Sequence, residues 1–508
     1  PRFRLVVIDN IVPFLSFVGP MSSMLLHVFT YNIILSGRDI MAYRGVYILA
    51  HIILVLMVIL PTSGFILEDF CPVSAPCRCT SGEIKCSDQG LVTMPHIIPQ
   101  GTNFLSLVYE LQRNTLTSIP SAAFEGLKID FSMSLILSDN MISHIADDAF
   151  HGVENVLKFL TLDNNQLTTV PTALLNLTGL SSLWITRNPI TVHGFDYSTL
   201  LHIGRTLVLF GFGSPELQAW PSNIRHLEKL NTLEISNISA NILPLDAFRG
   251  FEHRLEYLEF FYTPMVYLPP AICHLTVLKT LHLYHTNIMA QDDTILEACS
   301  THHSSVQNLI ITADSGLKRF PKLPESFPNL ESVRVSEIQD LYYLTNDEIS
   351  THAKNLHSIK VESCSLQHVP SALRKLSSMR TLSLRSNQIL TIESNDFNDF
   401  PPISDLDFSG NPLAYISSKA FHNLKWLVTL TLSNTELTAI PSAIASIIAL
   451  DHLFLENTKI KCGCDMRWML NLREITFIHI VGKCYGTDQT IADYIHNVLP
   501  GCNVTIVS

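Results

Sequence analysis

Little of this 508-residue chain is charged: Asp, Glu, Lys and Arg make up 15% of it, and 45 acidic against 33 basic residues leave a formal charge of -12. No stripe of Lys and Arg stands out, which argues against nucleic acid as a partner, because phosphate binding needs a run of cations. No GxSxG elbow, HExxH helix, phosphate loop or local pair of catalytic carboxylates occurs. Neither an enzymatic activity nor a cofactor is therefore expected. Long apolar runs are scarce as well. One spans Val46 to Leu60, short of the roughly 20 residues that cross a bilayer. After Cys502 only "NVTIVS" follows, with neither a second span nor a lipid-anchor tail, so the expected mature protein is soluble, exported and extracellular.

What the chain does have is leucine at a fixed spacing. In "LKFLTLDNNQL" Leu157, Leu160, Leu162, Asn165 and Leu167 occupy positions 1, 4, 6, 9 and 11, the LxxLxLxxNxL spacing of a leucine-rich repeat. The spacing returns from Leu180, Leu356, Met379, Ile403, Leu427 and Leu450, with poorer copies near Ser106, Ser132, Leu207, Leu230, Leu255, Leu278, Val306 and Leu330; about fifteen copies result, roughly 23 to 26 residues apart. Positions 4 and 6 alternate with positions 3, 5 and 7, so each copy predicts a short strand with one buried face. The Asn at position 9 offers two donors and an acceptor to backbone groups of the turn, in its own coil and the next. Thr263, Thr286, Thr435, Thr458 or Cys364 at that position offers fewer bonds, and the copies near Leu207, Leu230, Val306 and Leu330 lack the Asn. The middle of the array is therefore expected to be looser. No coil can bury its own leucines, so the copies must stack and their ends must be covered.

Eleven cysteines supply the covers. Cys71, Cys77, Cys79 and Cys86 precede the first repeat, and Cys462, Cys464, Cys484 and Cys502 follow the last. Even sets at both ends predict disulfide-stapled caps made in an oxidising compartment; the competing zinc reading has the tighter CxC spacing against it. "MAYRGVYILAHIILVLMVILPTSG" combines Arg44, the apolar run and small residues before Phe65, a secretory signal, with an uncleaved anchor as the alternative. Residues 1–40 have no repeat pattern and begin at Pro1, and are expected to be translation from upstream of a start at Met41. The expected organisation is an upstream segment 1–40, a signal peptide 41–64, an N-terminal cap 65–104, repeats 105–460 and a C-terminal cap 461–508. The expected fold class is an α/β solenoid, a leucine-rich repeat horseshoe with a parallel β-sheet on the concave face, short helical, 3-10 or extended segments on the convex face, and a cap at each end.

The blocks "CPVSAPCRCTSGEIKCSDQGLVTMPHIIP" and "IKCGCDMRWML" resemble the flanking caps of extracellular leucine-rich repeat proteins, the group of Slit, the Nogo receptor and Toll ectodomains, with Trp468 as the aromatic that closes the last coil. The resemblance covers residues 71 to 502. It implies bridges Cys71–Cys79, Cys77–Cys86, Cys462–Cys484 and Cys464–Cys502. The general tenor of "DDAFHGVENVLKFLTLDNNQLTTVPTALLNL" is also similar to secreted arthropod proteins related to the non-catalytic subunit of a shrimp luciferase, which implies a secreted catalytic chain as an alternative partner.

Stacked about 4.8 Å apart, fifteen strands make a strip of roughly 70 Å, suited to a protein or glycan rather than a small metabolite. Rigid rings facing solvent on such a strip are natural anchors for a partner. Trp184, Tyr257, Phe261, His282 and Tyr284 are expected to form the partner-binding patch, with Glu259, Arg334 and Lys360 setting orientation; the competing reading has the rings packing on one another. His282 and His285 sit i and i+3 along a strand and cannot chelate a metal together, and no metal site is expected there or at His302 and His303. Cys364 occupies position 9 as a ladder residue, while Cys273 and Cys299 flank an extended repeat they are able to staple. Asn176, Asn237 and Asn503 begin N-x-S/T glycosylation sites. The functions in view are a secreted binding protein for adhesion, signalling or immune recognition, an accessory subunit of a secreted enzyme, and an anchored receptor ectodomain. A homodimer is compatible with all three.

Overall fold

Most repeats form a strand from position 3, reaching position 7 in middle copies such as Thr232–Ser236 and Tyr257–Phe261 and position 5 in others such as Ser182–Trp184 and Thr381–Ser383, and successive strands pair in parallel with equivalent residues side by side. The computed structural model describes residues 73, 76–80, 82–97, 103–239, 242–265, 268–287, 305–315, 317, 319–320, 327–344, 354–472 and 478–502. The chain divides into two compact units, 1–69 and 70–508, and everything described here belongs to the second. The expected upstream segment and signal peptide, with Cys71, Cys299, His302, His303 and Asn503, lie outside the described residues.

Among the described residues the main sheet has 18 strands. An antiparallel pair, Arg78–Thr80 with Glu83–Lys85, opens it, and Glu83–Lys85 pairs in parallel with the first long strand, Asn103–Glu110. From there every pairing is parallel through Lys128–Ile136, Leu157–Thr161, Ser182–Trp184, Leu209–Phe212 and onward to His452–Phe454 and His479–Val481. The register puts Leu233, Leu258, Leu281, Leu309, Val333 and Ile359 in one column and Ile235, Phe260, Leu283, Ile311, Val335 and Val361 in the next. All twelve are buried. This is how the position 4 and 6 residues leave water: each contacts its equivalents above and below, and the core is one continuous column. Irregular register falls between Phe104 and Ser106 and between Met133 and Ser134, near the start of the array.

The return path opposite the sheet follows two local recipes. In one, a proline starts a 3-10 turn: Pro171 before Thr172–Asn176, Pro221 before Ser222–His226, Pro269 before Pro270–His274, Pro370 before Ser371–Lys375 and Pro441 before Ser442–Ser446. The fixed φ of proline enters the turn, and five residues are too few for more than a short 3-10 segment. Most of these turns bury a small alanine beside a larger aliphatic, as Ala173 with Leu174 and Ala443 with Ile444. In the other recipe a phenylalanine turns inward, and Phe124, Phe150, Phe248, Phe397 and Phe421 are fully buried. No helix of the described residues is long and apolar enough to cross a membrane.

The asparagine of position 9 works as a bridge, with one correction. Asn165 Nδ2 donates to Leu162 O of its own coil and to Leu137 O, both at 3.0 Å, while its Oδ1 accepts from Ile142 N at 2.9 Å. The second coil it reaches is thus the preceding one, not the next. Asn114, Asn140, Asn188, Asn387 and Asn411 repeat the arrangement. Thr435 and Thr458 make one bond each, inside their own coil, and the buried Cys364 reaches Glu362 O and, at 4.0 Å, Val335 O. The Val306 copy, which lacks the Asn, carries Asp314 there, and Thr286 Oγ1 donates to it at 2.7 Å.

One regularity has no counterpart in the leucine pattern. Position 8 takes a left-handed backbone in coil after coil: Asp139, Asn164, Arg187, Asn237, Tyr262, His285, Ser386 and Asn457 all have φ between 47° and 57°. The chain turns there from strand to return path, and the position 9 amide binds the backbone that the turn exposes.

Both ends are stapled. Cys77–Cys86, Cys462–Cys484 and Cys464–Cys502 are formed, in agreement with three of the implied bridges, and Cys79 and Cys273 are also disulfide-bonded. The segment Cys464–Asn471 buries Met466 and Met469 and packs the half-buried Trp468 on the core.

Asn165→Ala removes donors and an acceptor from three buried backbone groups, each worth on the order of 1 to 3 kcal/mol when left unpaired. The expected loss is about 3 kcal/mol in denaturant unfolding, against about 1 kcal/mol for Thr435→Ala.

Candidate functional site

Five neighbouring strands place Trp184, Gly211, Glu234, Glu259 and His282 in one row across the open face of the sheet. The row is held together by side chains reaching sideways. Gly211 has no Cβ, and one built there would meet Trp184 Cδ1 at 2.3 Å; the indole occupies that space. Lying over the glycine, Trp184 donates from Nε1 to Glu234 Oε2 at 3.1 Å, two strands away. Phe159 backs the indole at 5.3 Å between ring centroids. Tyr257 donates to Glu259 Oε2 at 3.1 Å and lies 3.3 Å from His282 Nδ1. Glu259 Oε1 lies 3.2 Å from the same nitrogen, without meeting hydrogen-bond geometry. The other ring nitrogen, Nε2, contacts Thr312 Oγ1 at 3.3 Å.

Three carboxyls in this region have little water and each other's charge. Burial pushes Asp163 up to about 6, against the opposing pull of hydrogen bonds from Thr186 N and Oγ1 at 2.9 and 2.8 Å. Glu234 is pushed well above the usual carboxylate range, first by desolvation and then by the charges of Glu259 and Asp163, with the Trp184 bond acting the other way. Burial and the neighbouring Glu259 raise Tyr257 too, so its phenol stays protonated and donates.

Beside this row, at the C-terminal ends of two adjacent strands, four rings form two stacks. Phe261 and Tyr284 lie 4.9 Å apart at 21°, and Tyr262 and His285 lie 4.6 Å apart at 11°. The stacks meet edge-on, with Phe261 to Tyr262 and Tyr284 to His285 each at 4.5 Å. Burial lifts the Tyr284 hydroxyl to about 12, helped by Tyr262, Glu337 and Glu259.

Tyr257, Glu259, Phe261, His282 and Tyr284 are therefore brought together as the sequence suggests, but two of the expected solvent-facing side chains are not exposed. Trp184 is 5% exposed and His282 is 1% exposed, because neighbouring strands are close enough for large side chains to roof one another. Arg334 and Lys360 lie in the same row beyond Ile310. Arg334 pairs with Glu362 at 2.8 Å, and Ser383 donates to the other oxygen of that carboxylate. They make a second, separate polar group. Asp163, Gly211, Glu234 and Tyr262 are the residues that sequence reasoning missed; Gly211 and Glu234 sit in two copies that lack the ladder asparagine, and Tyr262 holds position 8, which the leucine pattern does not mark. Of the glycosylation sites, Asn176 is exposed, with its Nδ2 donating to Asp147 O at 2.7 Å, and Asn237 is half-buried at the left-handed position 8.

Residues 133–190 and 354–413 match the family described as leucine rich repeat. With the stacked register this decides the architecture. The chain is a leucine-rich repeat solenoid. It is 25% identical over 355 residues to podocan-like protein 1 of Mus musculus, covering 68% of this chain and 59% of that protein, and 26% identical over 212 residues to the volume-regulated anion channel subunit LRRC8B of Mus musculus, covering 40% and 25%. The solenoid thus spans less than two thirds of either relative. The crystal structure of a TLR13-ssRNA13 complex superposes with a TM-score of 0.47 at 18% identity, over 79% of this chain and 69% of that one.

Two measurements probe the geometry. An aspartate with an ordinary value of 3.8 that rises to about 6 on folding contributes stability that is complete below about pH 3.8 and is lost as pH rises through 6. Asp163→Asn keeps the acceptor for Thr186 without the charge, so it is expected to be about 3 kcal/mol more stable than the parent above pH 7 and equal to it near pH 4 in unfolding titrations. Gly211→Ala displaces the indole from Glu234, and the expected readout is increased acrylamide quenching of tryptophan fluorescence without loss of the fold.

Proposed function

We propose that this solenoid is an extracellular, non-enzymatic recognition protein that binds a protein partner on the open face of its sheet, through the part-exposed Tyr257, Glu259, Phe261 and Tyr284, which the buried Trp184 and His282 help hold in place. The observation that carries the reading is the cross-strand network itself: rings and carboxyls from five strands are fixed in place before any partner arrives. Fixed rings lose little entropy on binding and dominate interface energetics. Rings without that network would be scattered surface residues. Arg334 and Lys360, further along the same row, supply an opposite charge that orients the partner.

Export is supported by the stapled ends, since disulfides of this density persist in oxidising compartments. Asn176, exposed beside a return turn, remains available for a glycan away from the sheet face.

The test begins with the disulfide-intact chain used to capture partners, which are identified by mass spectrometry and then titrated against variants. Trp184→Ala and Tyr284→Ala are each expected to weaken binding at least tenfold, corresponding to about 1.4 kcal/mol. Capture that is unchanged in both, with folding intact, removes the open face as the binding surface.

A further inference from the structure

We propose that the double ring stack of Phe261, Tyr284, Tyr262 and His285 is a docking site for a basic side chain, Lys or Arg, of a protein partner. The inference rests on the reading of the open face as the binding surface and names the chemistry of what reaches it.

Three observations converge. The first is placement against local preference. Position 8 has a left-handed backbone, where bulky side chains are disfavoured and Asn or Gly is easiest. Asn164, Asn434, Asn457 and Gly410 hold it in some other coils, and Arg187, Ala313, Glu337, Ser363 and Ser386 hold it in others. Tyr262 and His285 hold it here, with φ of 47° and 49°. Two adjacent coils accept that cost, and the result is a second layer of rings beside the position 7 pair. The backbone cost is common to position 8, and what is particular to these two adjacent coils is that both place a ring there, which points to a use for the side chains.

The second is exposure. Tyr262 is 45% exposed and Phe261 and Tyr284 are part-exposed, so the stacks present ring surface to solvent instead of closing over it. The third is charge. The ionised groups that raise the Tyr284 hydroxyl are Glu337 and Glu259, so the rings sit in negative potential. Aromatic faces already attract cations, and flanking carboxylates add to that attraction. A neutral sugar gains nothing from the flanking charge and an acidic one is repelled, which is why a basic protein segment fits better than a glycan.

The experiment is saturation-transfer NMR on the full disulfide-intact chain with three probes: the peptide acetyl-Gly-Arg-Gly-Arg-Gly-amide, its citrulline counterpart, which is the same shape without charge, and chitotriose. Tyr262→Asn combined with His285→Asn removes the outer stack while giving the left-handed positions an easier residue, so the fold is retained, as a thermal melt verifies. Tyr415→Asn, an exposed tyrosine elsewhere, is the control. The expected result is a signal for the arginine peptide at least fivefold above its citrulline counterpart, reduced at least fivefold in the double variant, unchanged in the control and weakened by salt. Equal signals from the two peptides, an arginine signal unaffected by the double variant, or a ring-dependent signal from chitotriose alone overturns the proposal. Partner capture that still depends on Trp184 in any of those cases leaves the open-face reading standing, which separates the two failures.

Discussion

Every coil has to leave its strand through a left-handed residue, and the backbone this turn exposes must find partners inside the protein. The rest of the solenoid depends on that requirement. An amide side chain at position 9 meets it with two donors and one acceptor placed between consecutive coils. Because the bonds run to the preceding coil, each asparagine fixes the spacing of two coils as well as closing its own. Leucine burial then supplies the driving force along columns whose registration the turns have already set.

That arrangement is continuous from Asn114 to Asn188 and again at Asn387 and Asn411, and it lapses between them. Pro215, Ile238 and Ile338 at position 9 offer no side-chain hydrogen bond. Around the first two of these the interior fills with rings: Phe195, Phe212, Trp220, Phe248 and Phe251 contact one another in series at 5.4 to 6.3 Å, and Trp220 Nε1 donates to Ala247 O at 3.1 Å. Packing of large rings across coils is another means of joining them, and it leaves the parallel register intact through these strands.

The fold was legible because its signal is repeated. A periodic leucine and an asparagine at one offset survive many imperfect copies, and the cysteine spacing marks where the stack stops. The site was legible only in part, for two physical reasons. Alternation says which side of the sheet a residue occupies but not whether its neighbours cover it, so it puts Trp184 and His282 on the face without showing that neighbouring side chains cover them. Second, the partners of Trp184 and Glu259 come from strands about 25 or 50 residues away in sequence, and only the register brings Gly211 under the indole and Glu234 to its nitrogen. The two copies supplying those residues carry the weakest repeat signal.

The overlap between weak repeats and the polar cluster has a physical origin. A residue chosen for the face of the sheet is constrained little by the core, whereas position 9 is constrained almost entirely by it. Coils joined through rings instead of amides are free of the second constraint. Holding Glu234 and Glu259 side by side and part-buried costs free energy, and the aromatic core of these coils lies on the opposite side of the same strands. Trp184 over Gly211 shows an exchange on the outer side: the glycine contributes no packing of its own, yet its missing Cβ lets one indole cross a strand and hold a carboxylate.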